Sequence, residues 1–259
     1  MKVLIINIVI AYISLILVGY FFSDRMIFIP PRSGYTKSPK FIELVTADSH
    51  RIFAYYLPNK NAKYTLLVSH GNAEDIGYMR PLFQEMHKHG FAVFSYDYHG
   101  YGEGTGTPTE RNAYLDVDAA YDHLTKDLNV PPENIIAYGH SVGAAVTLDL
   151  AVRKPVAAVI LQGAFLTAFR VVTKIPIMPF DKFKNIKKIK DLKCPLLMIH
   201  GTRDGVVPFW QGKKLYELAE APKQFYAVGG AGHNNIMVVS GKEYWRMISS
   251  FISRYVDKR

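Results

Sequence analysis

Residues 134–143 read NIIAYGHSVG, and the chain continues as AAVTLDLA over residues 144–151. An apolar run typical of a buried strand leads into Gly139, Ser141 and Gly143, and residues of helical character follow. A serine on a sharp turn between a strand and a helix projects its hydroxyl out of the sheet, and flanking glycines let strand and helix approach closely. The stretch therefore predicts a strand, a strained turn and a helix, with Ser141 as a catalytic nucleophile.

The glycine and serine pattern alone arises by chance in about one such chain in fifteen, so the prediction of a catalytic serine needs support from other residues. Two further residues are predicted to complete the site. Asp204 lies in HGTRDGVVP (200–208), where an apolar run ends, and His233 lies in GAGHNN (230–235), before the final helix. The order serine, acid, histidine is the one expected for a nucleophile on such a turn. We predict His233 as the general base and Asp204 as the residue that orients it; a turn aspartate and a structural histidine are the alternatives.

Two main-chain N–H groups are predicted to stabilise negative charge beside Ser141. One belongs to Val142, at the start of the helix, where the helix dipole favours an anion. The other belongs to Asn72, in the glycine-containing loop after TLLVSH (65–70). Together they predict an oxyanion hole.

The other histidines receive structural interpretations. His140 is predicted to line the pocket, because neighbouring residues on a sharp turn point apart. His70 and His200 each precede a glycine at a strand end and are predicted to bond local backbone. Four more are predicted to be loop or helix-surface residues: His87, His89, His99 and His123.

Short, unbroken apolar runs recur along the chain, at residues 65–70, 91–97, 134–140, 157–163 and 195–201. Continuous hydrophobicity indicates strands that are covered on both faces, as in a parallel sheet flanked by helices. In two stretches, 41–47 and 51–57, polar residues interrupt the apolar ones, which predicts an antiparallel hairpin at the sheet edge. Helices are predicted from a capping box at Thr107 with proline at the first helical position, and over residues 244–256.

The N-terminal residues 3–22, VLIINIVIAYISLILVGYFF, contain no charged side chain. A helix of about 20 such residues is roughly 30 Å long, the thickness of a membrane's hydrocarbon core. A cleaved signal peptide is the alternative, but the bulky residues 20–22 suit a membrane interface better than a cleavage site. Basic residues are more frequent after the helix than before it, which favours a cytoplasmic catalytic domain. We predict a membrane helix over 1–24, a linker over 25–40 and a catalytic domain over 41–259.

Composition narrows the choice of partners. The formal net charge of the chain is +9, yet no nucleic-acid-binding module is recognisable, so we predict no nucleic-acid partner and favour an anionic membrane. The one insertion long enough for a cap lies between Ala164 and Leu192, and its lysine-rich part, 182–193, is either solvated or set against lipid head groups. With a single cysteine, Cys194, and no Cys/His cluster at ligand spacing, we predict neither metal nor cofactor.

Five stretches carry a family resemblance: HGNAEDIGYM (70–79), YDYHGYGEGTGTPTE (96–110), YGHSVG (138–143), HGTRDGVVP (200–208) and GAGHNN (230–235). Through them, over roughly residues 60–257, the chain resembles the membrane-associated protein-depalmitoylase branch of the α/β-hydrolase superfamily, and more broadly the serine-aminopeptidase-like group. The resemblance implies an α/β-hydrolase fold, with a mostly parallel central sheet, helices on both faces and a short cap.

These observations predict a membrane-anchored serine hydrolase that cleaves carboxylic ester or thioester bonds in acylated substrates, either lipid esters or acyl-proteins. The acyl group would pass through an acyl-enzyme on Ser141 before water releases it. Two alternatives stay open. One is a peptidase or small-ester esterase of the serine-aminopeptidase-like group, and the other is a membrane-anchored binding protein that keeps the fold without chemistry.

Overall fold

A single eight-stranded sheet forms the centre of the computed structural model, which describes residues 1–258. Its strands are β1 (Ile42–Val45), β2 (Arg51–Leu57), β3 (Thr65–Ser69), β4 (Ala92–Tyr96), β5 (Ile135–His140), β6 (Ala158–Gln162), β7 (Leu196–Gly201) and β8 (Lys223–Val228). Their order across the sheet is β1-β2-β4-β3-β5-β6-β7-β8. β1 and β2 pair antiparallel with their neighbours, and the other pairs are parallel.

The predicted hairpin and the five predicted inner strands are confirmed. β8 was not predicted, because it is an edge strand whose residues are mostly only partly buried. Its sequence, KQFYAV, therefore lacks the continuous apolar run of the central strands.

The helices are α1 (Lys2–Ile27), α2 (Arg80–Lys88), α3 (Glu110–Asp122), α4 (Val142–Arg153), α5 (Ala168–Thr173), α6 (Asn185–Lys188), α7 (Phe209–Leu218), α8 (Ile236–Ser240) and α9 (Lys242–Tyr255). A π-helical turn, His123–Asp127, continues α3, and 3-10 turns lie at Pro132–Asn134 and Ile189–Asp191. α2 and α9 pack on one face of the sheet, while α3 and α4 pack on the other. Alternate residues of β3 enter the two cores, Leu66 and Val68 on one side and Leu67 on the other, so both faces are buried.

The start of α3 differs from the predicted capping box. The N-cap is Thr109, whose Oγ1 accepts a hydrogen bond from the N–H of Asn112 at 3.1 Å. Pro108 therefore precedes the cap instead of occupying the first helical position. The prediction was wrong by two residues because two threonines, at 107 and 109, both offer a capping hydroxyl.

The N-terminal helix α1 is long and apolar enough to cross a membrane. Only 6% of its most apolar 18-residue stretch is buried in the protein. It ends at Ile27, three residues beyond the predicted boundary at 24. The following segment packs on the domain, since Phe28 and Tyr35 are both buried.

Residues of α1 from Tyr12 to Asp24 contact the segment between α5 and α6. The Nζ of Lys182 lies 2.8 Å from Oδ2 of Asp24. Tyr12 donates its hydroxyl to the carbonyl oxygen of Ile177 at 2.9 Å. A Cβ on Gly19 would lie only 2.7 Å from the sulfur and terminal methyl group of Met178, so these two residues are in close contact. We call these contacts the joint.

Candidate active site

Ser141 lies on the turn between β5 and α4, with φ 56° and ψ −118°. This positive φ is strained for a residue with a Cβ and is typical of a nucleophile held out of a sheet. The flanking glycines are required, as predicted: a Cβ on Gly139 would lie 2.3 Å from the carbonyl oxygen of Gly143, and one on Gly143 would lie 2.1 Å from that of Ser69.

Asp204 and His233 lie in the loops after β7 and β8 and contact each other. The Nδ1 of His233 is 2.7 Å from Oδ2 of Asp204. The other carboxylate oxygen accepts the N–H groups of Val206 and Val207, at 2.9 and 2.8 Å. Burial would raise the pKa of Asp204, but hydrogen bonds from His200 and His233 outweigh it and hold that pKa well below its ordinary range. The carboxylate is therefore charged at neutral pH.

The imidazole of His233 lines the cavity that contains Ser141. Because Nδ1 faces Asp204, Nε2 is the nitrogen left for Ser141, and both residues line one cavity of about 310 Å³. Nε2 is buried and has no hydrogen-bond partner among residues 1–258, Ser141 included. Gly163 makes room for the ring, because a Cβ at this residue would lie 2.9 Å from Cε1 of His233.

Two cavities of different character meet at Ser141. The first, which His233 lines, also contains polar side chains of Glu74, His140 and Asn234. The second, of about 260 Å³, is mainly apolar and extends from Ser141 to the end of α1 and to α5. We call them the polar cavity and the apolar cavity. A larger surface cleft of about 540 Å³ lies between β1 and α3 and contains none of the predicted site residues.

The two predicted oxyanion residues lie beside Ser141. Asn72 lines both cavities and Val142 lines the apolar one. The side chain of Asn72 is fixed: its Oδ1 accepts the N–H of Ile29 at 2.8 Å, the N–H of Ala73 at 2.9 Å and the hydroxyl of Tyr101 at 2.7 Å. These bonds hold the loop that carries the Asn72 N–H.

Glu74 was not singled out from the sequence. Its Oε2 accepts the N–H of Gly71 at 2.7 Å and lies 3.7 Å from Nδ1 of His140. Burial raises its pKa, but the interactions with His140 outweigh this and lower the pKa to about 2. The available signal was an acidic residue in the predicted oxyanion loop.

The remaining histidine predictions have mixed outcomes. His140 lines the polar cavity, as predicted. Nδ1 of His70 lies 2.8 Å from the carbonyl oxygen of Gly71, and Nε2 of His200 lies 3.0 Å from that of Val207, so both local backbone bonds are confirmed. His99 lies in a loop, as predicted, but it is not at the surface, because its side chain is fully buried.

The lysines of the segment 182–193 differ in their contacts: some form ion pairs within the protein and others are exposed. Lys182 pairs with Asp24, and Lys188 lies 2.6 Å from Asp149, so these two charges are used within the protein. Three further lysines of this segment are exposed to solvent: Lys187, Lys190 and Lys193.

A mostly parallel sheet with a strained serine after β5, and with an aspartate and a histidine from later loops at the same edge, is the architecture of an α/β hydrolase. A family model described as "Serine aminopeptidase, S33" matches residues 60–185. Human alpha/beta hydrolase domain-containing protein 17B is 40% identical over 214 residues, which cover 81% of this chain and 73% of the human protein. The chain therefore belongs to the family of the alpha/beta hydrolase domain-containing proteins 17.

Further comparisons agree with this membership. The Caenorhabditis elegans protein aho-3, also an alpha/beta hydrolase domain-containing protein, is 40% identical over 198 residues, covering 75% of this chain and 59% of its own length. Among solved structures, an esterase of Pyrococcus furiosus has a TM-score of 0.73 at 20% identity, covering 89% of this chain and 98% of the esterase. The likeness to that esterase is one of fold. The resemblance inferred from the five sequence stretches is confirmed.

Proposed function

We propose that this protein is a membrane-anchored serine hydrolase that cleaves ester or thioester bonds of acyl chains presented by the membrane that holds α1. The observation that carries the proposal is the position of Ser141 between an apolar and a polar cavity. An acyl ester has the same two-sided character, because its chain is apolar and its leaving group is polar.

The apolar cavity suits an acyl chain in its lining and its direction. Its walls include Phe165 after β6, Val171 of α5 and Val207 beside Asp204. Burying each methylene of a chain against such walls stabilises the complex by about 0.8 kcal/mol. Binding should therefore strengthen with chain length until the cavity is full.

Residues at the end of α1 form part of the same cavity. Met26 and Ile27 line it together with Val172, and Met26 and Val172 are largely exposed. An acyl chain that leaves the bilayer along α1 would reach Ser141 without crossing bulk water. The contact of the proposed anchor with the cavity supports substrates that reside in the membrane.

The proposed chemistry is two-step acyl transfer. Ser141 attacks the carbonyl carbon while Nε2 of His233 takes its proton, and Asp204 holds the imidazole tautomer. The N–H groups of Asn72 and Val142 bind the developing oxyanion. The leaving group departs with the proton from His233, and water then releases the acid by the same steps. The hydrogen bond between Ser141 and His233 would form when substrate orders the site, as is common in such enzymes.

A peptidase is the second candidate, and Glu74 is the observation that favours it. Its carboxylate lies in the polar cavity near Ser141, and its lowered pKa keeps it charged. A carboxylate in this place could bind the ammonium group of an aminoacyl substrate. Turnover of aminoacyl amides that exceeds turnover of acyl thioesters would favour this candidate.

The nucleophile is tested with a fluorophosphonate probe on the full chain in detergent micelles. We expect the wild type to be labelled once per chain and Ser141→Ala to be unlabelled with an unchanged thermal melt. Ser240→Ala, on α8, is the control and should be labelled like the wild type. Labelling of Ser141→Ala would contradict the proposal, and an unlabelled wild type would favour a binding protein without chemistry.

Substrate class is tested with acyl thioesters and esters of increasing chain length. Ala168→Phe places a ring in the apolar cavity and should reduce kcat/KM at least tenfold for long chains while leaving acetyl esters nearly unaffected. Ala227→Phe, on the exposed part of β8, makes the same change outside the cavity. An equal effect of Ala168→Phe on short and long chains would contradict an acyl site in this cavity.

A further inference from the structure

Three side chains that sequence spacing did not connect meet at the end of the β1–β2 hairpin. Asp48 and His50 lie in the turn between these strands, and His99 lies in the loop after β4. One ligand atom from each lies within 4.8 Å of the others. Nε2 of His99 is 3.3 Å from Oδ1 of Asp48, and Nδ1 of His50 is 3.4 Å from Oδ2 of Asp48.

The two separations from Asp48, 3.3 and 3.4 Å, match those of ligands that share one small cation. Nitrogen and oxygen ligands at about 2.0–2.1 Å from Zn²⁺ lie about 3.3 Å apart in a tetrahedral site. Two imidazoles and a carboxylate also form a ligand set that Zn²⁺ and its neighbours in the first transition row accept. Because Asp48 and His50 are partly open to solvent, water can complete the coordination.

The buried histidine is already oriented as metal-binding histidines usually are. Nδ1 of His99 is hydrogen-bonded to Oδ1 of Asp116, whose Oδ2 accepts the backbone N–H of His99 at 2.9 Å. Both side chains are fully buried. A carboxylate on one imidazole nitrogen fixes the tautomer and directs the lone pair of the other nitrogen to the metal, here Nε2 towards Asp48.

The surrounding backbone holds the two rings close together. A Cβ on Gly106 would lie 2.6 Å from Cδ2 of both His50 and His99, so only glycine permits this approach. Arg51 and Thr105 tie the hairpin to the loop of Gly106, because the N–H of Thr105 donates to the carbonyl oxygen of Arg51 at 2.8 Å. The ligands therefore lie on backbone that is fixed without a metal.

One nitrogen in this cluster has no other role. Nδ1 of His50 is buried and has no hydrogen-bond partner among the residues that the structure describes, although it faces Asp48. A protonated His99 held between Asp48 and Asp116 would account for the contacts of those three residues. It leaves His50 unexplained, whereas a shared cation uses all the ligands.

We propose that Asp48, His50 and His99 bind one divalent transition-metal ion, with Zn²⁺ as the ion of choice, and that Asp116 positions His99. The site would join the β1–β2 hairpin to the loop that follows β4. That loop also carries Tyr101, which donates to Asn72 beside Ser141. The proposal concerns metal binding and stability and does not depend on the proposed hydrolysis.

The test uses the full chain in detergent micelles, stripped with EDTA and desalted, with ZnCl₂ as the probe. We expect one bound Zn²⁺ per chain by elemental analysis and a rise of several degrees in Tm at saturation. Co²⁺ in place of Zn²⁺ should give visible absorption bands of a low-coordinate nitrogen and oxygen site. Ser141→Ala should behave like the wild type in each measurement, which separates this proposal from the proposed function.

The deciding variant is His50→Ala, because His50 lies at the solvent side and its loss should leave the metal-free Tm unchanged. It should lose stoichiometric Zn²⁺ and the rise in Tm. His87→Ala removes a histidine from α2, away from the cluster, and should keep both. Absence of bound Zn²⁺ in the wild type, or equal stabilisation of wild type and His50→Ala, would overturn the proposal.

Discussion

Oδ1 of Asn72 accepts the backbone N–H of Ile29 at 2.8 Å, so the loop beside Ser141 is bonded directly to the segment that leaves the apolar helix. The same oxygen also accepts the hydroxyl of Tyr101. One amide side chain thus connects the N-terminal segment, the loop after β4 and the proposed oxyanion hole.

Replacing Asn72 by alanine should slow turnover more than it weakens binding. The variant removes the acceptor of three donors and frees the loop that carries the Asn72 N–H. Loss of an oxyanion donor reduces kcat by about 10²–10³, and a misplaced donor should cost at least tenfold. Steady-state kinetics on a soluble short-chain ester check this, with Asn61→Ala in an exposed turn as the control. A raised KM with an unchanged kcat would contradict the oxyanion role.

Asp204→Asn should leave the fold intact and reduce kcat by about 10⁴. The amide cannot hold the imidazole of His233 in the tautomer that accepts a proton on Nε2. The measurement is kcat on the same ester, together with the thermal melt. Asp191→Asn, at an exposed carboxylate, should retain wild-type turnover, and comparable activity of the two variants would refute the assignment of Asp204.

Gly163→Ala has a matched control in Gly230→Ala. Both glycines have positive φ, 62° and 76°, so alanine costs about 1 kcal/mol of backbone strain at either position. Only the Cβ at residue 163 meets the imidazole of His233, at 2.9 Å from Cε1; within the described part of the chain, no atom lies within 4 Å of a Cβ at residue 230. We expect kcat to fall at least tenfold in Gly163→Ala alone. Equal kcat values would mean that the position of His233 does not limit turnover.

Acid stability should depend on Glu74. Its folded-state pKa of about 2 lies below the ordinary value of 4.5, so the unfolded chain binds this proton more tightly. The carboxylate therefore stabilises the fold above about pH 4.5, and this stabilisation is lost as the pH falls towards 2. Glu74→Gln should have a lower Tm than wild type at pH 5 and nearly the same Tm at pH 2.5.

The control for this comparison is Glu133→Gln, at an exposed position. Its Tm should follow that of the wild type throughout the series of thermal melts. A difference between Glu74→Gln and wild type that stays constant from pH 5 to pH 2.5 would show that the carboxylate charge is not the cause.

The joint can be tested by charge reversal. Asp24→Lys places two cations together at the pair with Lys182 and should slow hydrolysis of acyl esters embedded in vesicles. Because the pair is partly exposed, an effect of about two- to fivefold is expected. The double variant Asp24→Lys/Lys182→Asp restores opposite charges and should recover most of the rate. Turnover of a soluble ester serves as the internal control, and a failure of the double variant to recover would contradict a role for the pair.

The central strands and the elbow were predictable because their signals are local. Continuous apolar runs mark strands that are buried on both faces, and two glycines around Ser141 are needed by the turn itself. β8 escaped prediction because an edge strand needs no such run. The start of α3 was misplaced because both Thr107 and Thr109 can cap a helix, and tertiary packing decides between them.

Features that depend on contacts between residues far apart in the chain could not be predicted from the sequence. Asp24 and Lys182 are separated by 158 positions, and nothing near either one indicates the pair. The loop position of His99 was predictable but its burial was not, because the carboxylate that lets the imidazole be buried comes from Asp116 on α3. The contact between His99 and His50 could not be predicted for the same reason, because it forms only when the β1–β2 hairpin and the loop after β4 are folded together.

The joint also determines how the proposed enzyme would meet its substrate. A catalytic domain on a loose tether samples a volume around its anchor, whereas one fixed through Asp24, just beyond the apolar residues 3–22, keeps its cavity close to the lipid surface. Its encounters then take place in two dimensions. Diluting the acyl ester with inert lipid in the same vesicle would slow turnover in proportion, while adding separate vesicles of inert lipid would change nothing.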